Sequence, residues 1–315
     1  MRQAEAAKHM RRIWWAPVAL AVASSCWGIS VPLSKKAVAV LPPATLLSLQ
    51  LLVSIVVLWA AILLRSRPAI ENRRPVTRRD LYQACLSGIL QPGVTFLLVT
   101  LGLLLTSANE VALLDAVEPI IIMAMAAALL KERITPLQYL CAFGALAGAV
   151  LVILPQVDMA EVSLRGLSGD LLVLAGLCVA ACYVILSRRL ISAYDGLHLA
   201  AVQQSAALGF AILALIVAGF LGVSAIPPQA LSGDIILTVI LSGLLQFALP
   251  FWLYLLALRH MRASITALFL PLIPLSGVIT AYFLLGETLN AGQWLGAVLI
   301  IVAVLVSSLF NKAHH

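Results

Sequence analysis

The chain has 315 residues, 63% of them hydrophobic and 10% charged, with a formal net charge of +7. A water-soluble domain carries about 25% charged residues, so this chain lacks the polar side chains to coat a folded surface in water, and a bilayer is the solvent that suits it. The positive balance does not point to nucleic acid, because the basic residues gather at the ends of apolar stretches, where they set membrane orientation.

A helix needs about 20 mostly apolar residues to cross a bilayer. Ten stretches qualify: 14–34, 44–65, 81–104, 108–130, 136–155, 169–190, 197–221, 233–257, 263–285 and 291–310. The first follows Arg11 and Arg12 as a signal peptide would, but its apolar run continues to Leu33, which reads as an uncleaved span. It carries Trp27, a candidate cavity aromatic, and ends at Lys35 and Lys36, which either draw anionic groups to the mouth or snorkel to headgroups. After the second stretch comes a loop, residues 66–80, with Arg67, Arg73, Arg74, Arg78 and Arg79. The third stretch holds Gln91 near mid-span, a buried amide that needs partners.

The fourth stretch is unusual in carrying Glu110, Asp115 and Glu118, whereas no other has more than one acid. An ionised group at the bilayer centre costs about 2.5–3.5 kcal/mol, so such residues normally face a cavity or a partner. Asp115 and Glu118 are three residues apart and share a helix face. Two readings are open: Glu118, with Asp115, binds a cationic amine or a coupling proton, or it is a protonated carboxyl bonded to a neighbouring helix. Pro119 follows at once and frees the carbonyl of Asp115, because proline lacks the donor and clashes four residues back. Pro119 is therefore a candidate hinge, as are Pro271 and Pro274 in the ninth stretch.

Glu132 precedes the fifth stretch and Glu287 the tenth, which Thr135–Gln138 and Asn290–Gln293 open as capping boxes. Both glutamates read as structural, favoured by the following helix N-terminus. Residues 156–168, with Asp158 and Glu161, link the halves. Tyr183 in the sixth stretch is a candidate cavity aromatic, and Gln246, Pro250 and Tyr254 in the eighth fall on one stripe. The five cysteines lie in apolar stretches without metal or CxxC spacing and read as packing residues. With the N-terminus inside and ten alternating spans, all of the 20 Lys and Arg except Lys35, Lys36 and Arg165 fall on the cytoplasmic side. Both termini are then cytoplasmic.

The sequence repeats itself. At an offset of 155, Leu86-Ser87-Gly88-Ile89-Leu90-Gln91 matches Leu241-Ser242-Gly243-Leu244-Leu245-Gln246, and Pro119, Glu132 and Gln138 recur as Pro274, Glu287 and Gln293. At an offset of 153, Leu33-Ser34-Lys35-Lys36 matches Leu186-Ser187-Arg188-Arg189, and Gln50 matches Gln203. Residues 1–155 form a first repeat and 169–315 a second, and with five spans each the second inserts upside down. The expected fold is an all-α integral membrane protein of ten transmembrane helices in two inverted five-helix repeats. That arrangement is a transporter signature, with the site near the midplane between repeats.

The chain resembles the EamA-type branch of the drug/metabolite transporter superfamily in Trp27-Gly28, in Thr106-Ser107-Ala108 leading to Pro119 and Leu130-Lys131-Glu132-Arg133, and in the echo through Pro274 to Gly286-Glu287-Thr288. The resemblance implies a central cavity lined by helices 1, 3, 4, 6, 8 and 9. It also implies transport of amino acids, related metabolites or amphiphilic drugs, often as export. Members commonly place a basic residue early in helix 2, where this chain has Gln50.

The expectation is a secondary transporter in a bacterial inner membrane, without cofactor or metal, recognising a small-molecule substrate and coupled to protons or running as facilitated exchange. No GxxxxGK[ST] loop is present to hydrolyse ATP. Candidate substrate or coupling residues are Glu118, Asp115, Gln91, Gln246, Trp27, Tyr183 and Tyr254. A sugar-phosphate or nucleotide-sugar carrier is the alternative, disfavoured by the scarcity of mid-span Arg or Lys clamps. A membrane enzyme would need a nucleophile–base or metal set, and neither HExxH nor GxSxG occurs. A channel would not saturate or show counterflow.

Overall fold

The structure, a computed structural model, describes residues 15–65, 75–103, 105–106, 108–153, 164–220, 232–285 and 290–310. Its described regular structure is helical, and ten helices are long and apolar enough to cross a membrane. They are α1 (Trp15–Val38), α2 (Pro43–Leu64), α3 (78–103), α4 (108–129), α5 (Pro136–Ile153), α6 (Leu164–Leu190), α7 (Gly196–Phe220), α8 (233–258), α9 (263–285) and α10 (Ala291–Phe310). Each overlaps one expected stretch. Helix α6 opens earlier than expected, at Leu164 inside the expected linker, while residues 156–163 lie outside the described residues. So do the N-terminal arginines and Glu287.

Local chemistry explains where the helices start. Pro43 supplies a preset φ in the first turn of α2, where its missing N–H is harmless. Thr77 and Asp80 close a reciprocal capping box on α3, with Thr77 N donating to Asp80 Oδ2 at 2.9 Å. The two expected boxes also form: Thr135 N donates to Gln138 Oε1 at 2.8 Å, and Asn290 N to Gln293 Oε1 at 3.0 Å. Leu63, Phe143, Leu171, Leu213, Phe220 and Leu295 point outward, so the molecule presents an apolar belt suited to acyl chains.

Packing displays the inverted repeat. Helix α1 packs against α8 and α9 of the other half, and α6 packs against α3 and α4; α2 pairs with α7, and α5 with α10. Each half thus lends its first helix to the other. Glycines set the closest crossings, as expected where packing rather than hydrophobicity joins helices. A Cβ on Gly88 of α3 would lie 1.9 Å from the backbone oxygen of Gln203 in α7, and one on Gly243 of α8 would lie 2.9 Å from that of Gln50 in α2. The α5–α10 crossing rests likewise on Gly148 and Gly296.

Two matched polar nodes sit at these crossings. Gln203 Nε2 donates to Ser87 and Ser187, both at 2.9 Å. Gln50 Nε2 donates to Ser242 at 2.8 Å and Ser34 at 3.2 Å. These six residues are three matched pairs of the repeat, Ser34 with Ser187, Gln50 with Gln203 and Ser87 with Ser242. Gln50, fully buried and bonded across helices, therefore serves as interhelical glue. The basic pair Arg188-Arg189 has its counterpart in Lys35-Lys36; Lys36 reaches Asp234 at 2.7 Å in an exposed ion pair, worth at most about 1 kcal/mol.

Candidate functional site

Both halves break a helix at matched positions of the repeat. In α4 one helical piece ends at Asp115 and the next begins at Glu118, with Pro119 buried in its first turn. In α9 a short piece, Ala263–Ala267, gives way to tight turns through Pro271 before Leu272–Leu285, with Pro274 in that helix's first turn. Leu268, Phe269, Leu270 and Ile273 each bond three residues back, the tighter pattern that a proline break leaves. All three expected hinge prolines therefore lie at breaks. Broken helices near the midplane are tolerated where they face protein or a wet cavity.

The acids sit at the α4 break. Asp115 is exposed at the end of the first helical piece, next to the buried Ala116. Glu118 is half-buried, occupies the first turn of the second helical piece, where negative charge is favoured, and lies within Coulombic range of Asp115. Among the described residues neither carboxyl has a hydrogen-bond or ion-pair partner. The bonded-carboxyl reading finds no partner for either acid there. The side chain of Glu110 lies outside the described residues.

An aromatic layer joins α1, α6 and α8. Trp27 stacks edge-on to Phe251 at 5.5 Å and lies 5.8 Å from Tyr254, and Tyr183 meets Phe251 at 5.8 Å. Tyr254 and Tyr183 are buried within this layer. Tyr254 shares a 3.3 Å hydrogen bond with Thr266 of α9 and feels the charge of both Glu118 and Glu132.

The matched glutamines Gln91 and Gln246 lie at matched interruptions of their helices, a kink within Ile89–Val94 of α3 and a π turn, Leu244–Ala248, of α8. Their environments differ. Gln246 ties α8 to α1: its backbone oxygen accepts the Trp27 indole N–H at 2.8 Å, and its Oε1 accepts Ser34 at 2.6 Å. Gln91 has non-helical backbone (φ −139°, ψ 125°) and a buried Oε1 without a partner among the described residues.

One expected role is corrected. Glu132 does not serve the helix that follows it. Lys131 adopts a left-handed conformation (φ 55°), which turns the chain back. Glu132 then accepts the N–H groups of Ala263 (3.0 Å) and Ser264 (3.1 Å) and the Ser264 hydroxyl (2.6 Å) at the start of α9. It thus caps a helix of the opposite half, a pairing across 131 residues that local spacing does not reveal. At the same end Arg65 bonds Asp195 at 2.8 Å, Arg189 donates to the Leu129 carbonyl at 2.9 Å and Arg262 to the Arg133 carbonyl at 3.4 Å, so these contacts join the halves there as well. Helix α9 packs on α4 at this end. Among the described residues the mirror contact, the start of α4 against the end of α9, is marginal at most. Sequence reasoning also missed Gln204, which accepts Ser54 and donates to the Phe247 carbonyl at 2.8 Å; no repeat match drew attention to it.

The sequence model of the EamA-like transporter family matches residues 14–154 and again 167–309. An uncharacterized transporter of Archaeoglobus fulgidus is 24% identical over 293 residues, 92% of this chain and 97% of that one. The Bacillus subtilis protein named uncharacterized transporter YyaM is 30% identical over 212 residues, 66% of each chain. A solved structure described only as "Crystal structure of protein" superposes with a TM-score of 0.78 at 18% identity, covering 95% of this chain and 98% of that one, a likeness of fold alone.

Proposed function

Because the chain belongs to the EamA-like transporter family, we propose that it is a secondary carrier exporting small polar metabolites, amino acids, amines or related compounds, across the plasma membrane by alternating access. The carrying observation is the pair Asp115 and Glu118 at the break of α4, one accessible and both without a protein partner among the described residues. Such a pair suits an ammonium group or a coupling proton. No Lys or Arg stands at mid-span to clamp a phosphate ester, which favours zwitterions and cations over sugar phosphates.

The positive-inside pattern puts the Glu132 end, and both termini, in the cytoplasm. In this reading Glu132 is the cytoplasmic latch, holding α4 to α9 while Asp115 stays accessible from the opposite side. Matched breaks in α4 and α9 supply the hinges. Counterflow into proteoliposomes, with a panel of amino acids, amines and sugar phosphates and with or without a pH gradient, tests the reading. Saturable exchange of zwitterions or amines is expected; exchange confined to sugar phosphates, or non-saturating flux, overturns it.

The latch makes its own prediction. With Thr266→Cys in a cysteine-free background, Glu132→Ala should speed labelling by a membrane-impermeant maleimide from the Lys131 side by about tenfold or more. Hydrogen bonds to a charged group are worth roughly 1.5–3 kcal/mol each, and about 1.4 kcal/mol is tenfold in an opening equilibrium. Equal labelling of the two forms would remove Glu132 from the gate.

A further inference from the structure

Beside the latch lies a cavity of about 530 Å³ lined by Leu130, Lys131, Glu132, Arg133, Arg188 and Arg262. Four cations and one carboxylate share it. The carboxylate is already engaged, since both oxygens of Glu132 are taken by Ala263 and Ser264. The cations are less satisfied. Arg188 projects from the last turn of α6, half-buried and within Coulombic range of Glu132. Among the described residues it has no hydrogen-bond or ion-pair partner, whereas its neighbour Arg189 donates to the Leu129 carbonyl. Arg262 makes one long bond of 3.4 Å, to the Arg133 carbonyl. A half-buried guanidinium with its donors unused is free to take an acceptor that enters the cavity.

We infer that this cavity is a binding site for an oxyanion, a phosphate or phosphodiester group held by Arg188 and Arg262 with Lys131 and Arg133 at the rim. Guanidinium forks match such groups in two-point geometry, and the residues come from the connection after α4, from α6 and from the start of α9, so an occupant bridges both halves at the latch. General attraction of basic residues to a membrane surface does not account for the arrangement, because these four surround a cavity, while the exposed Arg78 and Arg79 at the start of α3 lie outside it. The inference is independent of the transport reading.

The test is thermal unfolding of the full-length protein in nanodiscs. In one arm inorganic phosphate is titrated into zwitterionic phosphatidylcholine discs; in the other, phosphatidylglycerol replaces part of the lipid and no phosphate is added. Stabilisation is expected in at least one arm, with the apparent affinity about tenfold weaker in Arg188→Gln and unchanged in the Arg78→Gln/Arg79→Gln double variant. Response in the phosphate arm assigns a soluble oxyanion; response in the lipid arm alone assigns a lipid headgroup. Arg262→Gln serves in the same way if Arg188→Gln does not fold. No response in either arm, or an equal loss in the Arg78/Arg79 control, overturns the site. Because the readout is unfolding rather than flux, its failure leaves the transport reading untouched.

Discussion

Glu118→Gln is expected to lower transport by about 10- to 1,000-fold while leaving expression and thermal stability near those of the parent. The range follows from losing one charged partner of a sheltered ion pair, roughly 2–5 kcal/mol, at about 1.4 kcal/mol per tenfold. Stability should hold because Glu118 makes no hydrogen bond or ion pair among the described residues, so the amide strands no partner there. Asp115→Asn should have a similar direction, since Asp115 is the accessible member of the pair. Gln91→Leu offers a contrast. It removes a buried oxygen that lacks a partner among the described residues, so stability should be kept or raised, and any fall in transport would count as loss of a solute contact. Full transport by Glu118→Gln in proteoliposomes would remove the acids of α4 from the mechanism.

The second large effect concerns folding. Gly88→Leu should destabilise the protein by about 3 kcal/mol or more, measured by thermal unfolding in detergent and by yield. At Gly88 even the first added carbon would lie 1.9 Å from a backbone oxygen of α7. Backbone cannot rotate aside, so the helices must part, and overpacking alone costs about 1–3 kcal/mol. Separation would also break the bonds of Gln203 to Ser87, a smaller loss at about 0.6 kcal/mol per interhelical bond. The glycine contact, rather than the polar node, therefore dominates at this crossing. Gly209→Ala on α7 is the control, because an added Cβ there meets nothing within 4 Å and the better helix propensity of alanine is worth up to about 1 kcal/mol. If Gly88→Leu and Gly209→Ala unfolded alike, the α3–α7 crossing would be looser than described.

The ten spans and the inverted repeat were legible in the sequence because the bilayer imposes them locally. Each crossing needs its own apolar run, whatever it packs against, and two sets of five runs force opposite insertion. The breaks in α4 and α9 were legible for a similar reason, since Pro119, Pro271 and Pro274 act on their own backbone. The division of labour among polar residues was not. Gln50 and Gln203, matched in sequence, turned out as twin staples. Gln91 and Gln246, equally well matched, diverged: Gln246 is bound into the α1–α8 contact and Gln91 is left with an unpaired oxygen among the described residues. Glu132 showed the same limit, because its partners lie 131 and 132 positions away in the other half. Hydropathy and proline chemistry act over a few residues and survive in the linear order. Which side chains meet depends on how ten helices cross, and only the packed structure decides that.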